Sequence, residues 1–421
     1  FALPLNMPNG TWQQQFMPNL HGAIIKDITF TDSLTGFAVT NVDSFTTAYI
    51  LKTTNGGNNW FNSLTENRAF TKVIFLNNST GFVGRVTVST QRAIYKTTNG
   101  GINWDSLNTP FDIAPIGISV LNEDTIWIAD DVISIGGIYR TTNGGLNWVQ
   151  QYGAGGGNPS KIYMFNARIG FMCNTSNLYK TTNSGDNWSP VPGGAFIDIY
   201  FTDSLTGWKA NGDMKKTTDG GLSWVTQTLP SGGIILTSNI SHFSVLNKDT
   251  IWGAGGQLFY GGGKFRAMIY RTTNGGNNWL FQIPDTSFGI PALGYIKFIN
   301  KNNGWVYNTT RGIHTTNGGD TTFIVGLRQI SFEVPKDFKL YQNYPNPFNP
   351  KTNIKYQITD NNSQVKLSVY DITGRHIIDL IEQKQNAGTY VVDWNASAYS
   401  SGVYFYKLTV TAGKEVYSET K

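Results

Sequence analysis

The sequence predicts an all-β chain: a seven-bladed β-propeller followed by an immunoglobulin-like β-sandwich. Three observations carry this expectation. An eleven-residue segment recurs seven times, a second motif runs in phase with it, and the last eighty or so residues switch to longer alternating strands punctuated by proline and glycine. The composition agrees. Of 421 residues, 14% are aromatic and only 14% charged, against roughly 25% charged in an average soluble domain. So many rings exclude a disordered chain, the 47 glycines follow no collagen period, and no run of about eighteen apolar residues suggests a transmembrane segment. The 32 basic and 27 acidic residues are scattered, so no nucleic-acid partner is expected.

The recurring segment first reads Ile50-Leu51-Lys52-Thr53-Thr54-Asn55-Gly56-Gly57-Asn58-Asn59-Trp60. It returns ending at Trp104, Trp148, Trp188, Trp224 and Trp279, and in degenerate form over Ile313 to Thr322, at spacings of 44, 44, 40, 36, 55 and 43 residues. The second motif lies upstream of each copy, at Phe30 to Phe37, Phe75 to Phe82, Val120 to Trp127, Phe165 to Phe171, Phe201 to Trp208, Val245 to Trp252 and Phe298 to Trp305. Each unit reads as four short β-branched and aromatic strands with no helical spacing. A period near 44 residues with four strands per unit fits a propeller blade. Such sheets are apolar on both faces, so the units must stack around an axis.

Each position of the segment has a physical reason. Asn55 can turn its side-chain carbonyl onto nearby backbone N–H groups, as in an Asx-turn. Gly57 can take the positive φ of a tight bend, and Trp60 can fold a large apolar ring over the hairpin. The same roles fall to Asn99, Gly101 and Trp104; Asn143, Gly145 and Trp148; Asn183, Gly185 and Trp188; Asp219, Gly221 and Trp224; and Asn274, Gly276 and Trp279. The seventh copy has Thr322 where Trp is expected, whereas the stretch around Trp12 resembles the residues at the end of a repeat and just after it, such as Asn147-Trp148-Val149-Gln150-Gln151. Residues around Trp12 are therefore expected to form the outer strand of the last blade and to close the ring, removing its free edge.

These segments resemble the Asp-box, or bacterial neuraminidase repeat, with Asn in place of the usual Asp in most copies and Asp219 keeping it. Together with the Asp-Ser-Leu-Thr-Gly-Phe/Trp motif they are most similar to the propellers related to photosystem II stability and assembly factors, over roughly residues 10–325. The resemblance implies the fold; it does not specify an activity.

A propeller over residues 1–325, a linker over 326–337 and a second domain over 338–421 are expected. The segment from Phe338 to Pro350 carries prolines that cannot serve a sheet ladder. Strands should follow at Asn353–Ile358, Val365–Tyr370, His376–Ile381, Thr389–Trp394 and Val403–Thr409, with turns at Gly374, Gly388 and Gly402. The sandwich expectation rests on these. Tyr344-Pro345-Asn346-Pro347-Phe348, Val369 to Arg375, Gly388-Thr389-Tyr390 and Ser401-Gly402-Val403-Tyr404-Phe405-Tyr406 closely resemble the type A C-terminal sorting domain of type IX secretion cargo in the Bacteroidetes and their relatives. The resemblance implies dealings with the type IX secretion machinery, and a destination outside the cell or on its outer-membrane surface. It also implies a short final strand beyond Glu419-Thr420-Lys421. The start at Phe1 is read as the mark of an N-terminal segment already removed, a signal peptide being one explanation.

Chemistry is sparsely signalled. Cys173 sits among apolar residues and reads as a buried, inert thiol, and four scattered histidines (His21, His242, His314, His376) have no metal-ligand spacing. No metal or cofactor is expected. A sialidase needs an arginine cluster and a Tyr/Glu pair. Only Glu66 and Glu123 precede the linker, and neither is expected beside a candidate tyrosine. A glycosidase needs two placed carboxylates, for which Asp130-Asp131, the one Asp-Asp pair, is considered. The basic position of the repeat (Lys52, Lys96, Arg140, Lys180, Lys216, Arg271, then His314) reads as a solvated or ion-paired perimeter. Function is expected in loops that break the repeat, above all the glycine-rich insertion containing Phe259, Tyr260 and Arg266, which could engage a protein or glycan. The function expected is that of a secreted, non-catalytic propeller for adhesion, scaffolding or self-assembly. Its partners would be extracellular proteins or glycans, copies of itself included. A secreted carbohydrate-active hydrolase is the alternative.

Overall fold

Each repeat folds into one antiparallel sheet, and seven such sheets surround an axis. The computed structural model describes residues 12–86, 93–109, 115–130, 136–153, 158–231, 235–259, 265–284, 290–319, 327–331, 333–361, 363–396, 399–413 and 415–421; among these no helix occurs. The first blade runs Ile25–Phe30, Gly36–Thr40, Ala48–Thr53 and Phe61–Glu66, hydrogen-bonded in that order. Four-stranded sheets beginning at Phe70–Phe75, Pro115–Val120, Lys161–Met164 and Asp198–Phe201 repeat it. In the seventh blade Tyr295–Phe298, Gly304–Tyr307 and Arg311–Thr315 are joined by Trp12–Phe16, which pairs antiparallel with Arg311–Thr315 in the register Trp12 to Thr315. First and last parts of the propeller thus share one sheet.

The strand leading into the second motif faces the axis and meets its counterparts in neighbouring blades. All seven joints there are bridged by a side chain. Asp27 Oδ2, Ser119 Oγ, Tyr163 Oη, Asp198 Oδ2 and Ser244 Oγ accept from the backbone N–H of Val73, Met164, Phe201, Phe243 and Phe298 at 2.9–3.1 Å. Thr71 Oγ1 donates to Pro115 O at 2.5 Å and Tyr295 Oη to Lys26 O at 2.8 Å, closing the circle. Further out, the joints are apolar. Phe30 stacks on Trp305 of the preceding blade at 4.0 Å, with Trp60 edge-on at 5.8 Å. Phe37, Phe75 and Trp104 repeat this sandwich, as do Phe171, Phe201 and Trp224. At the closing blade Trp252 stacks on Phe298 at 4.1 Å and Trp12 supplies the edge-on ring. Trp12 occupies the place of a repeat tryptophan although it lies some three hundred residues from its blade.

Two features differ from the sequence reading. The glycine-rich insertion of the sixth blade is mostly a long hairpin, Ile251–Phe259 against Phe265–Thr272, with a fifth strand, Ile235–Thr237, pairing to its extension. Gly255 and Gly256 take positive φ and form a bulge between Gly255 and Gln257, so the strand continues past the glycines instead of ending at them. The expected linker 326–337 is corrected too: Leu327–Ser331 pairs with Gly388–Asn395 and belongs to the second domain. Its brevity left no alternating pattern to read.

That domain is a sandwich of two four-stranded sheets. One orders Leu327–Ser331, Gly388–Asn395, Lys351–Ile358 and Lys339–Leu340; the other His376–Gln385, Ser363–Asp371, Tyr404–Ala412 and Glu415–Thr420. Ile354, Tyr356, Val365, Leu367, Val392, Leu408 and Val410 fill the core. Glu415–Thr420 pairs along Tyr404–Ala412, and Lys421 exchanges two backbone hydrogen bonds with Tyr406.

Candidate contact face and polar centres

The repeated turn is built as its residues dictate. Thr53 Oγ1 accepts from Gly57 N at 2.9 Å and donates to Asn55 Oδ1, which accepts from Asn59 N at 2.9 Å. The same bonds recur around Asn99, Asn143, Asn183, Asp219 and Asn274. In the seventh copy Thr315 and Asn317 make the inner pair. Gly56 and Gly57 have φ of +69° and +89°. Each second motif has a matching cap, with Asp32 Oδ1 accepting from Leu34 and Thr35 N at 2.7 Å. The repeat tryptophans are buried or half-buried in the joints.

The basic position, expected as a solvated or ion-paired perimeter, is ion-paired at Lys96 and Arg140 and also staples neighbouring blades. Lys52, Lys180 and Lys216 donate to Gly100, Gly220 and Gly275 O of the next blade's turn at 2.6–2.9 Å, and Arg140 reaches Ser184 O at 3.0 Å. The cation lies over the second-motif aromatic of its own blade, as Lys52 does over Phe37 at 5.7 Å and Arg271 over Trp252 at 4.8 Å. The reason is local: a positive-φ turn leaves its carbonyl without a ladder partner, and the neighbouring cation supplies one. Lys96 instead pairs with Glu123 at 2.9 Å. His314 stacks on Trp305 at 4.6 Å, and burial lowers its pKa to about 4.

The carboxylates that sequence reasoning weighed for catalysis are placed apart. Asp130 is fully buried at the end of a strand, and Asp131 lies outside the described residues. Glu66 is beside a tyrosine after all. Tyr95 donates to Glu66 Oε1, and Arg85 Nη1 reaches Glu66 Oε2 at 3.0 Å and Tyr95 Oη at 3.1 Å. This contact crosses from the first blade to the second, so linear spacing could not show it. Cys173 is buried, with burial raising its pKa. Phe259 and Arg266 lie on the sixth-blade hairpin, Arg266 Nη1 donating to Phe265 O at 3.0 Å; Tyr260 lies outside the described residues.

The turns of both motifs emerge on one face of the propeller, and their tips carry exposed aliphatic side chains. Ile102, Leu146 and Leu222 occupy the position after the paired glycines and are 72%, 80% and 59% exposed. Leu34 and Leu205, at the tips of second-motif turns, are exposed as well. The first and sixth blades have Asn58 and Asn277 where Ile102, Leu146 and Leu222 stand, so the turn does not need an aliphatic there. Sequence reasoning did not single out these residues. Comparing the seven copies for exposed apolar residues would have found them.

In the sandwich, Asn343 Nδ2 donates to Pro345 O at 3.1 Å and Thr352 Oγ1 at 2.9 Å, fixing the segment that holds Pro345, Asn346 and Pro347. Gly374 has φ +81° in a turn capped by Asp371, which accepts from Arg375 Nε at 3.0 Å. Tyr390 Oη bonds Asn386 O at 2.7 Å, and Tyr404 Oη, just past Gly402, bonds Ser400 O at 2.6 Å. These positions serve the fold's turns. Glu419, although partly buried, is held near pKa 2 by hydrogen bonds from Lys421, Tyr417 and Leu340 N.

The family described as a secretion system C-terminal sorting domain matches residues 342–419. The family described as photosynthesis system II assembly factor YCF48 matches residues 6–155. No curated protein matches the chain. Among solved structures, YCF48 bound to D1 peptide is 19% identical with a TM-score of 0.54, covering 75% of this chain and 99% of that one. The extracellular domain of a putative hybrid two-component system from B. thetaiotaomicron is 12% identical with a TM-score of 0.51, covering 97% and 56%. A GH74 enzyme from Niastella koreensis is 13% identical with a TM-score of 0.44, covering 96% and 67%. The chain therefore joins a YCF48-like propeller to a type IX sorting domain, which marks it for secretion or attachment at the cell surface. No helix among the described residues is long and apolar enough to cross a membrane.

Proposed function

We propose that the propeller is a non-catalytic contact module, an exported adhesion or scaffold that meets other macromolecules through the face bearing the repeat turns. The observation carrying this reading is the set of exposed aliphatic tips, Ile102, Leu146 and Leu222, on turns whose other copies use asparagine or aspartate. Exposed apolar side chains gathered on one face favour association. The groups a hydrolase would use support the same reading, because they are engaged elsewhere. Asp27 and Asp198 hold backbone N–H groups of adjoining blades, and Glu66 is closed on Tyr95 and Arg85. The similar YCF48 propeller is solved with a peptide bound, and a peptide segment, a glycan or another copy of this chain are partners the reading admits.

Incubating the purified full chain with a panel of polysaccharides tests the non-catalytic part: no release of reducing ends is expected. Release that Asp130→Asn abolishes would replace this reading with the hydrolase. Electron microscopy of secreted material addresses partner choice. Ordered assemblies would identify copies of the chain as partners, and single particles would leave proteins and glycans.

A further inference from the structure

The sandwich leaves apolar side chains uncovered at one end of its second sheet. Tyr370 and Phe405 stand opposite each other on neighbouring strands, and with Gly374, Lys407 and Thr420 they line an open recess of about 350 Å³. Side chains two apart on a strand share a face, so Phe405 and Lys407 turn outward while Tyr406 and Leu408 fill the core. Nothing stands within 4 Å of where a Cβ on Gly374 would lie, which leaves that side of the recess open. Ile372 and Val403, two residues from Tyr370 and Phe405 in the chain, add exposed apolar surface. The recess also holds a spare cation. Arg375 pairs with Asp371, and Lys366 with Asp379 and Glu382. Lys407 is exposed and, among the described residues, has neither an ion pair nor a side-chain hydrogen bond.

The propeller carries the counterpart. In each blade the repeat turn donates a backbone N–H to the second-motif turn, so the two tips stand together; in the third blade Gly144 N donates to Asp124 O at 3.0 Å. Leu146, at 80% the most exposed of the three aliphatic tips, therefore stands beside the turn of Asp124. Glu123 on that turn is taken by Lys96. Asp124 is exposed and, among the described residues, has neither an ion pair nor a side-chain hydrogen bond. The other two tips lack such a neighbour. The second-motif turn beside Ile102 holds no carboxylate, and Asp203, on the turn beside Leu222, is engaged by Leu205 and Thr206 N–H.

We propose that copies of this chain join head to tail, Leu146 of one propeller seating in the Tyr370–Phe405 recess of another copy's sorting domain while Asp124 meets Lys407. An apolar knob with a spare carboxylate and an apolar recess with a spare ammonium match in kind and in charge. The two surfaces differ, so each copy keeps one of them free for the next, and the contact builds a ring or an open filament. This partnership rests on the tip face being a contact face, and it names what that face meets.

Sedimentation velocity of the purified full chain over a concentration series should show assemblies larger than one copy. Asp124→Lys and Lys407→Glu should each weaken assembly roughly tenfold or more, because like charges then meet at the contact. An equimolar mixture of the two variants should restore it, since every contact in an alternating assembly again pairs opposite charges. Melting curves verify that each variant is folded, and D124N or K407Q replaces a reversal that is not. A native chain that stays single at every concentration, assembly that neither reversal weakens, or a mixture that does not recover overturns the proposal. A native chain that stays single yet binds cells through Ile102, Leu146 and Leu222 overturns it while the contact-face reading stands.

Discussion

At the residue scale, the repeat works because small residues sit where large ones must pass. The second-motif glycine of the first blade, Gly36, lies under the Phe30 ring, and a Cβ there would stand 2.6 Å from it. Phe30 cannot yield, being stacked on Trp305 of the preceding blade. Gly36→Ala should therefore cost about 1–3 kcal/mol as overpacking, measured by denaturant unfolding, and Gly36→Ala/Phe30→Leu should recover part of it. His314 makes a second residue-scale prediction. With its pKa lowered from 6.5 to about 4 by burial, the unfolded chain binds the extra proton first. Stability is then full above pH 6.5 and falls as pH drops from there towards 4. H314K restores the cation found in the other blades and should flatten this part of the pH–stability curve. An unchanged slope would show that His314 is not responsible. Asn55, Gly57, Trp60 and their copies were legible because local turn chemistry fixes their types. The contact of Glu66 with Tyr95 and Arg85 was not, because it joins two blades.

At the element scale, the strand Trp12–Phe16 holds the ring shut. Besides its ladder, Trp12 Nε1 donates to Gln282 Oε1 at 3.0 Å, and Gln15 Nε2 donates to Gly56 O of the first blade at 2.6 Å. One strand thus joins the sixth, seventh and first blades. Trp12→Ala should cost about 3–5 kcal/mol, and deletion of residues 1–20 should sharply lower the melting temperature. A deletion variant melting with the native protein would contradict closure by this strand. The pairing could be argued from Thr322 and Trp12 because a missing residue and a spare one matched. The sixth-blade hairpin could not, since its glycines look the same in a loop as in a bulged strand. The strand Leu327–Ser331 was hidden for another reason: five residues are too few to establish a period.

At the scale of the whole molecule, a rigid ring is coupled to an export domain. The ring's polar groups mostly join blades, as with Asp27, Ser119, Asp198 and Lys52, while its apolar excess stands on turn tips at Ile102, Leu146 and Leu222. Fold and destination could be read from repeat and tail, because both are written in local motifs. The contact face could not, because exposure depends on which way each turn points once the blades are assembled. The most direct test compares saturation binding of labelled full-length native protein and I102N/L146N/L222N to the outer surface of cells that secrete it. These substitutions copy the asparagines of the first and sixth blades, so melting temperatures should match. The account predicts binding weakened roughly tenfold or more, as when several apolar contacts of about 1 kcal/mol each are lost. Equal binding by two equally stable proteins would contradict it.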